Sequence, residues 1–426
     1  MKLWNQKSSV NQLVEQFTVG SDREVDLHLA KYDVIGSIAH AKMLAHTKLI
    51  SPEECGLLVA ELELILIEIQ SGTFTIPDEF EDVHSRIEFL LTEKLGEAGK
   101  KIHTARSRND QSLLDIKLYI RHELKEIKTL CDNLFETLMV LAEKHQKDLL
   151  PGYTHFQLAM PSSFGLWFSA YAESLIDDLE FVNAAYAIAD KNPLGSAAGY
   201  GTSFPIDREF TTKELGFSSM NVSSVYAQMT RGKTEKACVT SIASIASTLN
   251  KLAADITLYM NQEFAYVSFP EEFTTGSSIM PHKKNPDVWE LIRAKANKLQ
   301  SAPNELALLL TNLPSGYHRD FQLTKEILIN SVIAIKQMLI ISEITLSKIA
   351  VRKNILEDEK YDLLFTVDAV NELVKEGRSF RDAYGNISSL VNSATFFPTR
   401  KLESSHAGSP GNPALKLIRN RELDQH

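Results

Sequence analysis

A chain of 426 residues, 44% of them hydrophobic and 23% charged, has material for a large core and a length that suggests two or three domains. Its net charge of −10 and pI near 5.7 exclude nucleic acid as the main partner, because a phosphate binder carries a basic face. The start, MKLWNQKSSV, has no apolar signal core, and no long uncharged apolar run is present, so no membrane partner is expected. Cys55, Cys131 and Cys238 are far apart and show neither metal spacing nor a disulfide framework, which points to a reducing cytoplasm. The sequons at Asn221 and Asn386 are then chance matches.

In chain order, residues 1–105 read as shorter helices with a loop near Pro77. From Ser112 to Leu150 there is no Gly or Pro. Ile120, Leu124, Ile127, Leu130, Leu134, Leu138 and Leu141 recur at steps of three and four, which is one helix face. Such a helix would reach roughly 55 Å. Ser163–Asp190 forms a second long helical run with a single Gly. Lys233–Phe269 and Tyr317–Val351 are two more without Gly or Pro. Asn285–Ser301 opens on Asn-Pro-Asp, a cap followed by Pro in the first turn and an acid at the positive helix end.

Helices of this length predict an all-α fold in three regions: an N-terminal helical domain (1–105), a central long-helix bundle (106–351) and a C-terminal helical domain with a Gly/Pro-rich tail (352–426). Apolar stripes so long predict packing against other subunits, hence a homo-oligomer.

Four polar segments interrupt these helices at their ends: HTARSRNDQ (103–111), PGYTHFQ (151–157), TTGSSIMPHKKNPD (274–287) and SGYHRDFQLTK (315–325). Helix ends expose backbone N–H groups that favour small anions. Taken singly, each segment has a plain reading. Arg106 and Arg108 suit surface ion pairs, His155 a structural histidine, Ser277 and Ser278 a flexible loop, and Asn285 a helix cap. LGSAAGYGTSFPID (194–207) lacks the Gly-Lys-Ser/Thr end of a P-loop, so no nucleotide is expected there. No HExxH or paired-Cys motif occurs, so neither a catalytic metal nor a cofactor is expected.

Together the segments say more. Gly276-Ser277-Ser278-Ile279-Met280-Pro281-His282-Lys283-Lys284-Asn285-Pro286 resembles the GSSxMPxKxNP motif of the fumarase/aspartase superfamily. Within it, TARSRNDQ (104–111), GYTHFQLAMP (152–161), PLGSAAGYGTSFPIDRE (193–209) and Glu81, Asp82 and His84 are similar to the argininosuccinate lyase family, in the same order over roughly residues 15–390. The chain departs from that pattern at several points. Ala105 replaces a Gly, and NVSSVYAQMTRGKTE (221–235) keeps only Arg231 of an acidic segment. Leu323-Thr324 replaces Glu-Asp, the family's early substrate-contacting Ser aligns nearer Asp22 than Ser21, and Tyr384 replaces a common His.

The resemblance implies reversible elimination of arginine from argininosuccinate to leave fumarate, the last step of arginine biosynthesis. It makes Ser277 the base on a mobile loop hinged at Gly276, with Lys283 and Asn285 holding the charge of an aci-carboxylate intermediate. It makes His155, oriented by Glu290, the acid or the binder of the leaving guanidinium. Arg108, Asn109, Thr154, Tyr317, Gln322 and Lys325 would grip the substrate, with Ser278, Asp82 and His84 beside them. It also implies a homotetramer with sites shared between subunits. The alternatives are another fumarate-releasing lyase, acting on adenylosuccinate or aspartate, and an inactive structural or regulatory homologue on the same scaffold.

Overall fold

The computed structural model describes residues 12–400, 402 and 404–423. The chain is predominantly helical, as the periodicity predicts. The longest helix runs Arg108–Lys144, 37 residues. Phe164–Ala189, Lys233–Tyr259 and Thr324–Leu346 are the other long ones. Three two-stranded sheets are the β content among the described residues.

The uninterrupted runs overshoot the helix ends. Leu149 and Leu150 belong to a strand, Leu149–Thr154, that pairs antiparallel with Gln157–Ser163. Pro151 and Gly152 favour extended over helical backbone there. The PGYTHFQ segment is therefore a hairpin. Its two turn residues, His155 and Phe156, have φ of 55° and 57°, the left-handed pair that a tight two-residue turn requires.

Contacts divide the chain into two compact units. The first comprises Met1–Lys128, Phe181–Ser244 and Leu299–Ile335. Its core gathers Val34, Leu44, Leu58, Leu62, Ile87 and Leu91. The Pro52–Gln70 helix starts on a capping box, in which Ser51 and Glu54 satisfy each other's backbone N–H. Ala30–His46 packs so tightly on Arg108–Lys144 that a Cβ at Gly36 would stand 2.7 Å from Leu114. Asp110, from the SRNDQ run, accepts the backbone N–H groups of Gly195 and Ala197, each at 2.9 Å. The amides of the Gly-rich 194–207 segment are thus given to an acid of the fold itself.

The second unit comprises Thr129–Glu180, Ile245–Lys298 and Lys336–His426. Asp255 accepts from the Trp167 indole at 2.9 Å and the Tyr171 hydroxyl at 2.5 Å. The hairpin is anchored through Tyr153, whose hydroxyl meets that of Tyr266 at 2.5 Å, which in turn meets that of Tyr361 at 2.9 Å. In the tail, Arg419 bonds Glu136 and Glu143, and Arg421 bonds Glu173 and Asp177.

One segment, Arg319–Leu346, is long and apolar enough to cross a membrane by length and composition, contrary to the expectation from charge spacing. Its Lys325 is buried in ion pairs within the fold. The segment is also less than half buried within one chain, and Ile333, Ile340 and Ile344 on it are exposed.

Candidate active site

The first unit holds a cavity of about 190 Å³ lined by the starts and ends of several helices. Arg108 opens the longest helix. Its guanidinium donates to Asp82 Oδ2 at 3.1 Å and to Ser85 Oγ at 3.0 Å, and Asp82 caps the Val83–Leu95 helix through the Ser85 N–H. Burial works to raise the Asp82 pKa, but the charges of His84 and Arg108 and the Ser85 hydrogen bonds outweigh it and hold the carboxylate below its ordinary range. Arg319 bridges Glu81 at 2.9 Å and the Thr18 carbonyl at 2.9 Å. Gln322 donates to the carbonyls of Thr18 and Val19 at 3.0 and 3.1 Å.

Lys325 lies between two acids, 2.8 Å from Asp22 and 2.6 Å from Asp26. Burial opposes its charge, yet the two carboxylates raise its pKa above that of a free lysine. Asn109 and Tyr317 complete the lining, with Ser112 and Arg231. The cavity thus brings together seven of the residues singled out from the sequence: Asp82, His84, Arg108, Asn109, Tyr317, Gln322 and Lys325.

Besides Arg231, five lining residues escaped the sequence reading as site residues: Asp22, Asp26, Glu81, Ser112 and Arg319. Arg319 and its ion-pair partner Glu81 each lie inside a quoted segment and carry a charge beside a named residue, which is the signal that could have found Arg319. Arg231, noted only as a remnant of the 221–235 segment, is fully used. It donates to Glu235 at 2.8 Å, to Ser112 Oγ at 3.0 Å and to the Phe321 carbonyl at 3.1 Å. Glu235 also accepts the N–H of Gly232 and the hydroxyl of Thr324. The divergent segment therefore supplies an internal brace for the cavity wall.

Asp33, His84 and Asp115 present ligand-type atoms within 4.8 Å of one another. His84 Nδ1 is already hydrogen bonded to Asp33 at 3.0 Å. The Arg106 charge also acts on Asp33, so the acids of the cluster are already faced by a cation.

The remaining candidates lie in the second unit. Thr154 and His155 occupy the exposed end of the hairpin. The serine loop spans 274–287 and is closed by an antiparallel bridge between Thr275 and Asn285. Asn285 does not spend its side chain on the helix that follows, which starts at Asp287. Its amide donates to Thr275 Oγ1 at 3.3 Å and to the Gly276 carbonyl at 3.4 Å, fastening the loop's base. Ser277 Oγ accepts two backbone N–H groups, from Ile279 at 3.3 Å and Met280 at 3.2 Å. Ser278 and Lys283 are exposed on the same loop. Glu290 stands 3.9 Å from Arg293 and makes no hydrogen bond to His155 within the chain, so the expected orienting contact is not formed there.

The comparisons with known proteins bear on this arrangement. The family model described as "Lyase" matches residues 5–300. The argininosuccinate lyase of Phocaeicola vulgatus is 50% identical over 411 residues, 96% of this chain and 92% of that one. The chain belongs to the argininosuccinate lyase family. More distant members agree. The argininosuccinate lyase of Thermotoga neapolitana is 43% identical over 383 residues, 90% of this chain and 96% of that one. The argininosuccinate lyase of Xanthomonas campestris pv. campestris is 38% identical over 423 residues, 98% of each chain. Among solved structures, EDDS lyase in complex with formate superposes with a TM-score of 0.79 at 20% identity, covering 98% of this chain and 90% of that one. Class II fumarase from Schistosoma mansoni gives 0.72 at 14% identity, covering 90% and 91%. At these identities the two structures speak for the fold, the long-helix fold of the superfamily.

Proposed function

We propose that the chain catalyses the reversible β-elimination of argininosuccinate to arginine and fumarate, in the cytoplasm, as the last step of arginine biosynthesis. The observation that carries the mechanism is the pair of backbone N–H groups aimed at Ser277 Oγ. A serine hydroxyl is too weak an acid to ionise at neutral pH in water. Two amide donors stabilise an alkoxide more than a hydroxyl, which lowers the cost of using that oxygen as a base. Ser277 takes the proton from the carbon next to a carboxylate. The electron pair moves into that carboxylate as an aci-carboxylate dianion, and Lys283 supplies the countercharge. The C–N bond then breaks, the carbon skeleton leaves as fumarate and the guanidinium nitrogen is protonated, with His155 as the acid or as the group that binds the departing guanidinium.

The cavity of Arg108, Asn109, Tyr317, Gln322 and Lys325 grips the arginine end. Thr154, Ser278 and Asn285 support the dicarboxylate end. The functional unit is a homotetramer in which different subunits contribute these segments. Exposed Ile333, Ile340 and Ile344 on the long Thr324–Leu346 helix support such packing, with Leu291 on the Asp287–Leu299 helix. Glu290 then meets His155 across a subunit boundary. Cys55, Cys131 and Cys238 are all free, in keeping with a reducing compartment.

The purified protein is mixed with argininosuccinate, and with adenylosuccinate and aspartate in parallel, and fumarate is followed by ultraviolet absorbance. Fumarate from argininosuccinate alone is the expected result. Turnover of a different member of the set moves the chain to another branch, and silence on all three makes it an inactive homologue.

A further inference from the structure

Behind the cavity of the first unit lies a cluster that the elimination chemistry does not use. Three helices meet there: Ala30–His46 brings Asp33, Val83–Leu95 brings His84, and Arg108–Lys144 brings Gln111 and Asp115. His84 Nδ1 lies 3.0 Å from Asp33 Oδ1 and 3.7 Å from Asp115 Oδ2. Gln111 donates to the same Asp33 oxygen at 2.5 Å. Asp33 and Asp115 are sealed from solvent, and neither Asp115 oxygen nor the second Asp33 oxygen has a hydrogen-bond partner. Two such carboxylates cannot both stay charged in a dry interior without a cation between them. The imidazole of His84 is that cation.

The titratable and charged groups that act on the cluster are Asp33, Asp115, Asp82, Arg106, Arg108 and His103, with Asp26 acting on Asp115. Burial alone would drive the imidazole neutral. The Asp33 charge and hydrogen bond, joined by Asp82 and Asp115, overcome it and raise the pKa to about 9. Burial and the Asp33 charge raise the Asp115 pKa well above the ordinary carboxylate value. With Nδ1 committed to Asp33, the ring's other nitrogen is unpaired and not sealed, and His84 lines the cavity.

We propose that Asp33 is a positioning residue that fixes the His84 ring through Nδ1, so that its Nε2–H donates to a carboxylate oxygen of the bound substrate. This rests on the argininosuccinate lyase reading above. Its test keeps the two separable. The protein is labelled with ring-¹³C histidine, and the His84 resonance is assigned by its loss in His84→Gln. That resonance should report an imidazolium at pH 8 in the wild type and a neutral ring in Asp33→Asn. It should also shift when L-arginine, which carries a free carboxylate, is added to the wild type.

In kinetics, Asp33→Asn should raise KM for argininosuccinate about tenfold or more, the worth of a hydrogen bond to a charged group, with kcat changed less than about threefold. A neutral His84 in the wild type overturns the proposal, and so does an unchanged KM in Asp33→Asn. If the wild type releases no fumarate from argininosuccinate, the lyase reading fails. The resonance then decides the inference: charged and arginine-responsive upholds it, neutral or unresponsive overturns it.

Discussion

Arg231 and Glu235 form a sealed ion pair one helical turn apart, Nε to Oε1 2.8 Å, within the segment that departs most from its family's pattern. The pair joins three stretches of chain. Arg231 reaches Ser112 at the start of the longest helix and the Phe321 carbonyl, and Glu235 holds Thr324. Removing one partner strands the other charge in a dry site. Glu235→Ala should therefore lose about 3–5 kcal/mol in urea unfolding. A loss under about 1 kcal/mol would mean that the brace contributes little.

Asp110 makes the next prediction. It receives N–H groups from Ser107, Gly195 and Ala197 at 3.0, 2.9 and 2.9 Å. Asp110→Ala leaves three buried donors unpaired, each worth about 1–3 kcal/mol. Hydrogen exchange should show Gly195 and Ala197 losing protection first, ahead of the surrounding helices. Exchange unchanged at those two amides would remove the acid from that role.

Gly165 positions the hairpin that carries Thr154 and His155. A Cβ there would stand 2.4 Å from Gln146 Cα and 2.9 Å from the Ala142 carbonyl. Backbone cannot give way as a side-chain tip can. Gly165→Ala should cost about 1–3 kcal/mol, read as a lowered urea midpoint. An unchanged midpoint would show that the two helix ends separate easily.

The His84 cluster predicts a pH dependence of stability. The folded pKa of His84 is raised from 6.5 to about 9. The stabilisation is complete below about pH 6.5, falls as pH rises, and is gone once pH passes through about 9. Its size is on the order of 3 kcal/mol. Wild type should lose urea stability between pH 6 and pH 9.5, and His84→Gln should lose less over the same interval. Parallel losses in the two proteins would assign the pH dependence to other groups.

The long helices were legible because Ile120 to Leu141 recur at helical steps, and the structure buries Ile120, Leu124, Ile127, Leu134, Leu138 and Leu141. Their ends were less so. A run free of Gly and Pro carried the reading to Leu150, whereas the hairpin is set by Pro151 and Gly152 just beyond it and by its partner strand. The cavity residues near Arg108 and Gln322 were found through motif resemblance. Asp33 and Asp115 were not, because a lone acid in a helix reads as an exposed face. Only the meeting of three helices far apart in sequence buries them around His84. Asn285 looked like a helix cap for a similar reason. Its side chain turns back to Thr275 and Gly276, a contact no local pattern records.

The measurement that tests the central claim most directly compares Ser277→Ala with wild type for fumarate release from argininosuccinate, alongside substrate binding by calorimetry. The variant should bind the substrate normally and lose turnover by roughly 10²–10⁴-fold, the worth of a general base. Turnover within about threefold of wild type would contradict it and remove Ser277 from the chemistry.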